Sequence, residues 1–175
     1  LLMACAKSEN IDEPSESAAP QFFDVASIAG IDHKTVSGTP EKQHIVECNT
    51  GGAAFFDYDE DGDLDIFLVN GSLLQGYEVG QEPRAGLFRN DGDWHFVNVA
   101  AQAGIDHVGW GMGVSIADYD GDGHADLFLA NYGPNALYHN NGDGTFTNLA
   151  QELGVDYAGW SSAATFGDYD GDSDL

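Results

Sequence analysis

Residues 57–65 read Asp57-Tyr58-Asp59-Glu60-Asp61-Gly62-Asp63-Leu64-Asp65, and residues 118–126 read Asp118-Tyr119-Asp120-Gly121-Asp122-Gly123-His124-Ala125-Asp126. A third copy, Asp168-Tyr169-Asp170-Gly171-Asp172-Ser173-Asp174-Leu175, closes the sequence before its ninth position. Carboxylates at positions 1, 3 and 5 of a tightly coiled loop converge on one centre, and position 9 closes it. A glycine at position 6 allows the sharp turn. Several carboxylates within nine residues repel one another unless a cation sits among them. Ca²⁺, a hard ion that takes six to eight oxygens, is the expected occupant. Position 7 is expected to offer its backbone carbonyl, which leaves Asp63, His124 and Asp174 free to differ. The candidate metal residues are therefore Asp57, Asp59, Asp61, Asp63 and Asp65; Asp118, Asp120, Asp122, His124 and Asp126; and Asp168, Asp170, Asp172 and Asp174. Ser173 stands where the other loops have glycine.

The flanks of the loops decide the fold class. An EF-hand needs a bidentate Glu at position 12 and helices on both sides. Here position 12 is Leu68 or Leu129, inside an apolar run of strand composition. The loops are thus expected to join two strands. Other elements repeat with them. Phe22–His33 (FFDVASIAGIDH), Phe96–His107 (FVNVAAQAGIDH) and Phe146–Tyr157 (FTNLAQELGVDY) share one pattern, and Gly109-Trp110 recurs as Gly159-Trp160. The loops begin at 57, 118 and 168, so the periods are 61 and 50 residues. Each period offers four short strand candidates: 52–56, 65–70, 86–89 and 94–99, then 113–117, 126–131, 136–139 and 145–147. Asn90-Asp91-Gly92-Asp93 and Asn140-Asn141-Gly142-Asp143-Gly144 mark the turns before the fourth strands. Helical turns are expected near 100–104 and 150–154. Four strands per repeat of this length predict an all-β fold, a partial β-propeller of four-stranded blades. Trp110 and Trp160 are expected to pack in the core or between blades.

The composition agrees. The chain has 175 residues, 30 Asp+Glu against 5 Lys+Arg, and a formal charge of -25. Nucleic acid is excluded, because nothing here replaces phosphate counterions. Such a charge can signal disorder, but 42% hydrophobic residues and 10 Phe supply a core. The acidic residues are better explained as clustered cation ligands. Cys5 and Cys48 are too few for a disulfide framework, and Cys48 is expected to be a buried or half-buried thiol. His33, His95, His107, His124 and His139 show no paired metal or acid–base spacing and read as surface or turn residues. No nucleophile elbow, phosphate loop or dinucleotide fingerprint is present, so the chain is not expected to be an enzyme.

The loops, their strand flanks and their period resemble the FG-GAP (VCBS-type) repeat of integrin-α-like β-propellers, with a literal Phe166-Gly167 before the third loop. Phe22–Ile31 together with Asn140–Phe146 is similar to the secreted family that carries an ASPIC/UnbV domain after the propeller. That resemblance implies a ring of about seven blades. Residues 21–175 would hold two of them and the start of a third, in a longer chain. Phe22–Ala26 is expected to supply the outer strand of the last blade. Leu2-Met3-Ala4-Cys5 resembles a bacterial lipobox, with Cys5 lipidated, residues 1–5 the end of a signal peptide and 6–20 a flexible acidic tether. On this reading the protein is exported, as an outer-membrane or cell-surface lipoprotein or in secreted form. It touches the membrane only through the lipid anchor and offers a scaffold to a protein or glycan. The alternative is an accessory propeller module of an exported enzyme.

Overall fold

The computed structural model describes residues 21–172 and 175. Cys5, the expected tether at 6–20, Ser173 and Asp174 lie outside those residues. Nine strands are described: β1 (Ala53–Phe56), β2 (Asp65–Leu68), β3 (Gly86–Asn90), β4 (Phe96–Asn98), β5 (Trp110–Ala117), β6 (Asp126–Pro134), β7 (Ala136–Asn140), β8 (Phe146–Asn148) and β9 (Ala158–Trp160). They form two antiparallel meanders, β1-β2-β3-β4 and β5-β6-β7-β8, with β9 of the third repeat added to β6. These are two blades of a β-propeller. No described helix is long and apolar enough to cross a membrane.

Each blade is apolar on both faces because it is covered on both. Phe67 of β2 and Val69 just after it join the main core, while Ile66 packs with Ala29, Phe88 and Phe96 on the opposite face. The main core holds Phe56, Phe67 and Leu87 from blade one and Leu127, Leu129 and Tyr138 from blade two. It is therefore the contact between the blades. Burying each such side chain contributes about 1.5–3 kcal/mol. On the far face of blade two, Phe128 meets Phe166 of the third repeat edge-on at 6.3 Å.

The recurring phrase, Ala29-Gly30-Ile31, Ala103-Gly104-Ile105 and Leu153-Gly154-Val155, acts as a clasp in its first two copies. It forms hydrogen-bonded turns at 26–30, 100–104 and 150–154 rather than helices. Phe96 N donates to Ala29 O at 2.7 Å, and Phe146 N donates to Ala103 O at 2.8 Å. The turn that ends one repeat thus holds the outer strand of the next. Phe22–Ala26 forms no strand, and Phe22 and Phe23 are exposed.

The Gly-Trp segment ties the inner edges. β5 starts at Trp110, three residues before the expected boundary, and β6 runs on to Pro134. Gly111 N donates to Asn70 O at 2.8 Å, and Ser161 N repeats this bond to Asn131 O at 2.9 Å. Tyr132 lies edge-on between Trp110 and Trp160. Trp110 is buried, while Trp160 is 41% exposed.

The longer first period has a visible source. Residues 69–85 connect β2 to β3, whereas Asn135 alone separates β6 from β7. A short 3₁₀ helix, Ile45–Cys48, also precedes blade one. Buried Glu47 organises it by accepting from Thr39 N at 2.9 Å and His44 N at 2.8 Å. Cys48 is exposed, contrary to expectation, because its neighbours Val46 and Glu47 take the inward positions.

Candidate metal centre

Loops one and two join the first two strands of their repeats, and the strands set their shape. In loop one Asp57 Oδ1 accepts from Asp61 N at 3.1 Å and Oδ2 from Gly62 N at 3.0 Å. In loop two Asp118 accepts from Asp122 N at 3.0 Å and Gly123 N at 2.9 Å. The fifth-position carboxylates each accept from the seventh-position amide at 2.9 Å. Two sequences that differ at three of nine positions therefore coil alike. Left-handed backbone occurs twice per loop, at Glu60 and Gly62 and at Gly121 and Gly123. The glycine at position 6 foretold only the second of these. Loop three keeps the first, at Gly171, whose N–H donates to Asp168 Oδ1 at 2.7 Å.

This coil gathers the carboxylates at positions 1, 3 and 5. Ligand atoms of Asp57, Asp59 and Asp61 lie within 4.8 Å of one another, as do those of Asp118, Asp120 and Asp122 and those of Asp168, Asp170 and Asp172. Asp59 Oδ1 is shut off from water and has no hydrogen-bond partner. An orphaned buried carboxylate oxygen is costly unless a cation meets it. Burial, and then the charge of Asp61, pushes the Asp59 carboxyl above its ordinary value. A divalent ion held by these oxygens removes both penalties, so the residues present fit a hard cation.

The ninth-position residues, Asp65 and Asp126, are fully buried. Asp65 accepts from Tyr58 N at 3.0 Å and Asn90 N at 2.8 Å. Asp126 accepts from Tyr119 N at 3.1 Å and Asn140 N at 2.8 Å. Each locks the start of its loop to the end of the third strand. Burial pushes Asp65 up to about 6 and raises Asp126 as well. Asp65 is outside the cluster of Asp57, Asp59 and Asp61, whereas Asp126 forms a separate group with Asp120 and His139.

The position 7 side chains of loops one and two, Asp63 and His124, do not enter the clusters. His124 instead reaches across to Glu60 of loop one, which links the two loops. An open groove of about 630 Å³ runs between the blades there, lined by Asp59, Glu60, Arg89, His124 and Asp143. His139 is the site residue that sequence reasoning passed over. It reads as a turn histidine, yet β7 carries it to the edge of loop two. Its only sequence signal is the register with Arg89 of blade one, each preceding the turn asparagine.

Comparison with known proteins agrees with this geometry. A family model for the FG-GAP-like repeat matches residues 57–129 and 118–175. Over 53 residues, 29% of the chain, the sequence is 43% identical to cartilage acidic protein 1 of Xenopus tropicalis and covers 8% of that protein. The human cartilage acidic protein 1 is 45% identical over 53 residues, with the same coverage of 29% and 8%.

Proposed function

The chain belongs to the FG-GAP-like repeat family, and we propose that it is a Ca²⁺-stabilised β-propeller scaffold that binds a protein or glycan rather than a catalyst. The carrying observation is the repeated convergence of three carboxylates per loop, with Asp59 Oδ1 left orphaned and buried. Calcium bound to the folded loops alone adds its binding free energy to stability. Millimolar calcium outside the cell keeps even weak sites of this kind filled, which suits an exported protein. In this proposal Cys5 carries a lipid anchor, and the ring face meets the partner.

Thermal melting of chelator-stripped protein, with Ca²⁺, Mg²⁺ or neither, tests the calcium reading. A calcium-selective rise in melting temperature is expected, and Asp118→Ala with Asp122→Ala is expected to remove most of loop two's share. No rise, or an equal rise with Mg²⁺, would remove calcium from the reading. Metabolic labelling with a palmitate analogue, compared with Cys5→Ser, tests the anchor separately.

A further inference from the structure

Loop two differs from loop one in its nitrogen chemistry. Blade one places Arg89 beside its loop, and blade two places His139 at the same register of the third strand. A guanidinium stays charged and has no lone pair to give a metal. An imidazole has one.

The ring of His139 is set against three carboxylates. Nδ1 lies 3.3 Å from Asp120 Oδ2 and 3.3 Å from Asp126 Oδ1, and Nε2 lies 3.9 Å from Asp122 Oδ2. Its side chain is only 20% exposed, and Tyr119 packs against it edge-on at 6.2 Å. Nδ1 is shut off from water and makes no hydrogen bond. A charge-assisted bond to a carboxylate closes to about 2.7–2.9 Å, and neither contact does. The separation instead matches the edge of a tetrahedron around zinc, roughly 3.3–3.5 Å for bonds of about 2.0–2.1 Å. Atoms of Asp120, Asp126 and His139 all lie within 4.8 Å of one another. The two amide bonds to Asp126 orient that carboxylate and leave each oxygen a further lone pair.

We propose that loop two takes Zn²⁺ in competition with calcium, through Asp120, Asp126 and His139. Imidazole is a good donor to zinc, while calcium takes oxygen. The proposal rests on reading loop two as a cation site, and not on calcium being its occupant. Loop one remains an all-oxygen site.

The test uses the full chain stripped of metal and titrated with Zn²⁺ against a chromophoric chelator. The wild type is compared with His139→Arg, which installs the residue blade one carries, and with His139→Gln. Calcium-dependent melting is measured on all three. The wild type is expected to take up one equivalent of Zn²⁺ that both variants bind at least tenfold more weakly, with the calcium response retained. Unchanged zinc affinity in the variants, or no zinc uptake by the wild type, overturns the proposal. Zinc loss in the variants with no calcium response in any protein supports zinc in loop two and refutes calcium.

Discussion

Asn140 Nδ2 donates to the Tyr58 carbonyl at 2.9 Å, joining the turn of blade two to the metal loop of blade one across 82 residues of chain. Asn140 is buried, and its Oδ1 also accepts from Gly142 N at 3.1 Å. One side chain thus closes its own turn and fastens the neighbouring loop. Asn140→Ala leaves the Tyr58 carbonyl without this donor and is expected to lower stability by about 1–3 kcal/mol. Urea unfolding measures it. Asn90→Ala removes the matching turn bond but no described bond to another blade, so a smaller loss is expected there.

The carboxylates of one loop are expected to separate into two kinds. Asp65 is a buried brace for two amides, whereas Asp61 is exposed and crowded by like charges. Asp65→Ala leaves Tyr58 N and Asn90 N without their acceptors and is expected to cost about 2–4 kcal/mol, even in chelator. Asp61→Ala relieves repulsion, so in chelator its stability is expected to be unchanged or slightly raised. Its calcium-dependent rise in melting temperature is expected to shrink. Melting both variants with and without calcium checks the contrast. Equal losses in chelator would show that the ninth position is no brace.

The division between what the sequence reveals and what it hides follows from the range of the interactions. Eight of the strands coincide in order and place with their expected runs, because alternating apolar positions and Asn-Gly-Asp turns are local signals. The convergence of Asp57, Asp59 and Asp61 is local too. The ends of β5 and β6 are not: they are prolonged by bonds such as Gly111 N to Asn70 O, between residues 41 apart. His139 was hidden for the same reason. Nothing around it in sequence is a ligand, and only the pairing of β7 with β6 brings it to Asp126. The left-handed turn at Glu60 was hidden by its side chain, since glycine marks that position only in the other two loops.

Acid is expected to weaken the fold through a repeated histidine. His107 is buried edge-on against Tyr138 at 6.2 Å and 3.3 Å from Asn131 Oδ1. Burial lowers its pKa, so the folded state favours the neutral ring. Its unfolded value is about 6.5. The stability it contributes is full above that pH and is lost as pH falls through it toward the lower folded value. His33, at the equivalent place against Phe88, is shifted the same way by the same cause. Melting temperature measured from pH 7.5 to 5.5 is expected to fall, and His107→Gln to fall less steeply. An equal slope in the variant would assign the acid sensitivity elsewhere.

The clasp between repeats is expected to be intolerant of even one methyl group. Gly30 has φ +85°, a conformation L residues resist, and a Cβ built there would lie 2.3 Å from Phe96 O. That oxygen belongs to β4, whose amide at the same residue is already bonded to Ala29 O. The backbone has no route around the clash except to withdraw the turn from the strand. Gly30→Ala is therefore expected to cost about 1–3 kcal/mol or more, beyond the strain of the φ angle alone. Gly104 repeats the arrangement with a gentler approach of 3.0 Å to Phe146 O. Gly104→Ala is expected to be the milder of the two. Hydrogen exchange at Phe96 N and Phe146 N reads the clasp directly. Faster exchange of the Phe96 amide in Gly30→Ala, with the Phe146 amide unchanged, is the expected pattern. Uniform loosening of both amides would mean that the turn supports the whole molecule rather than one junction.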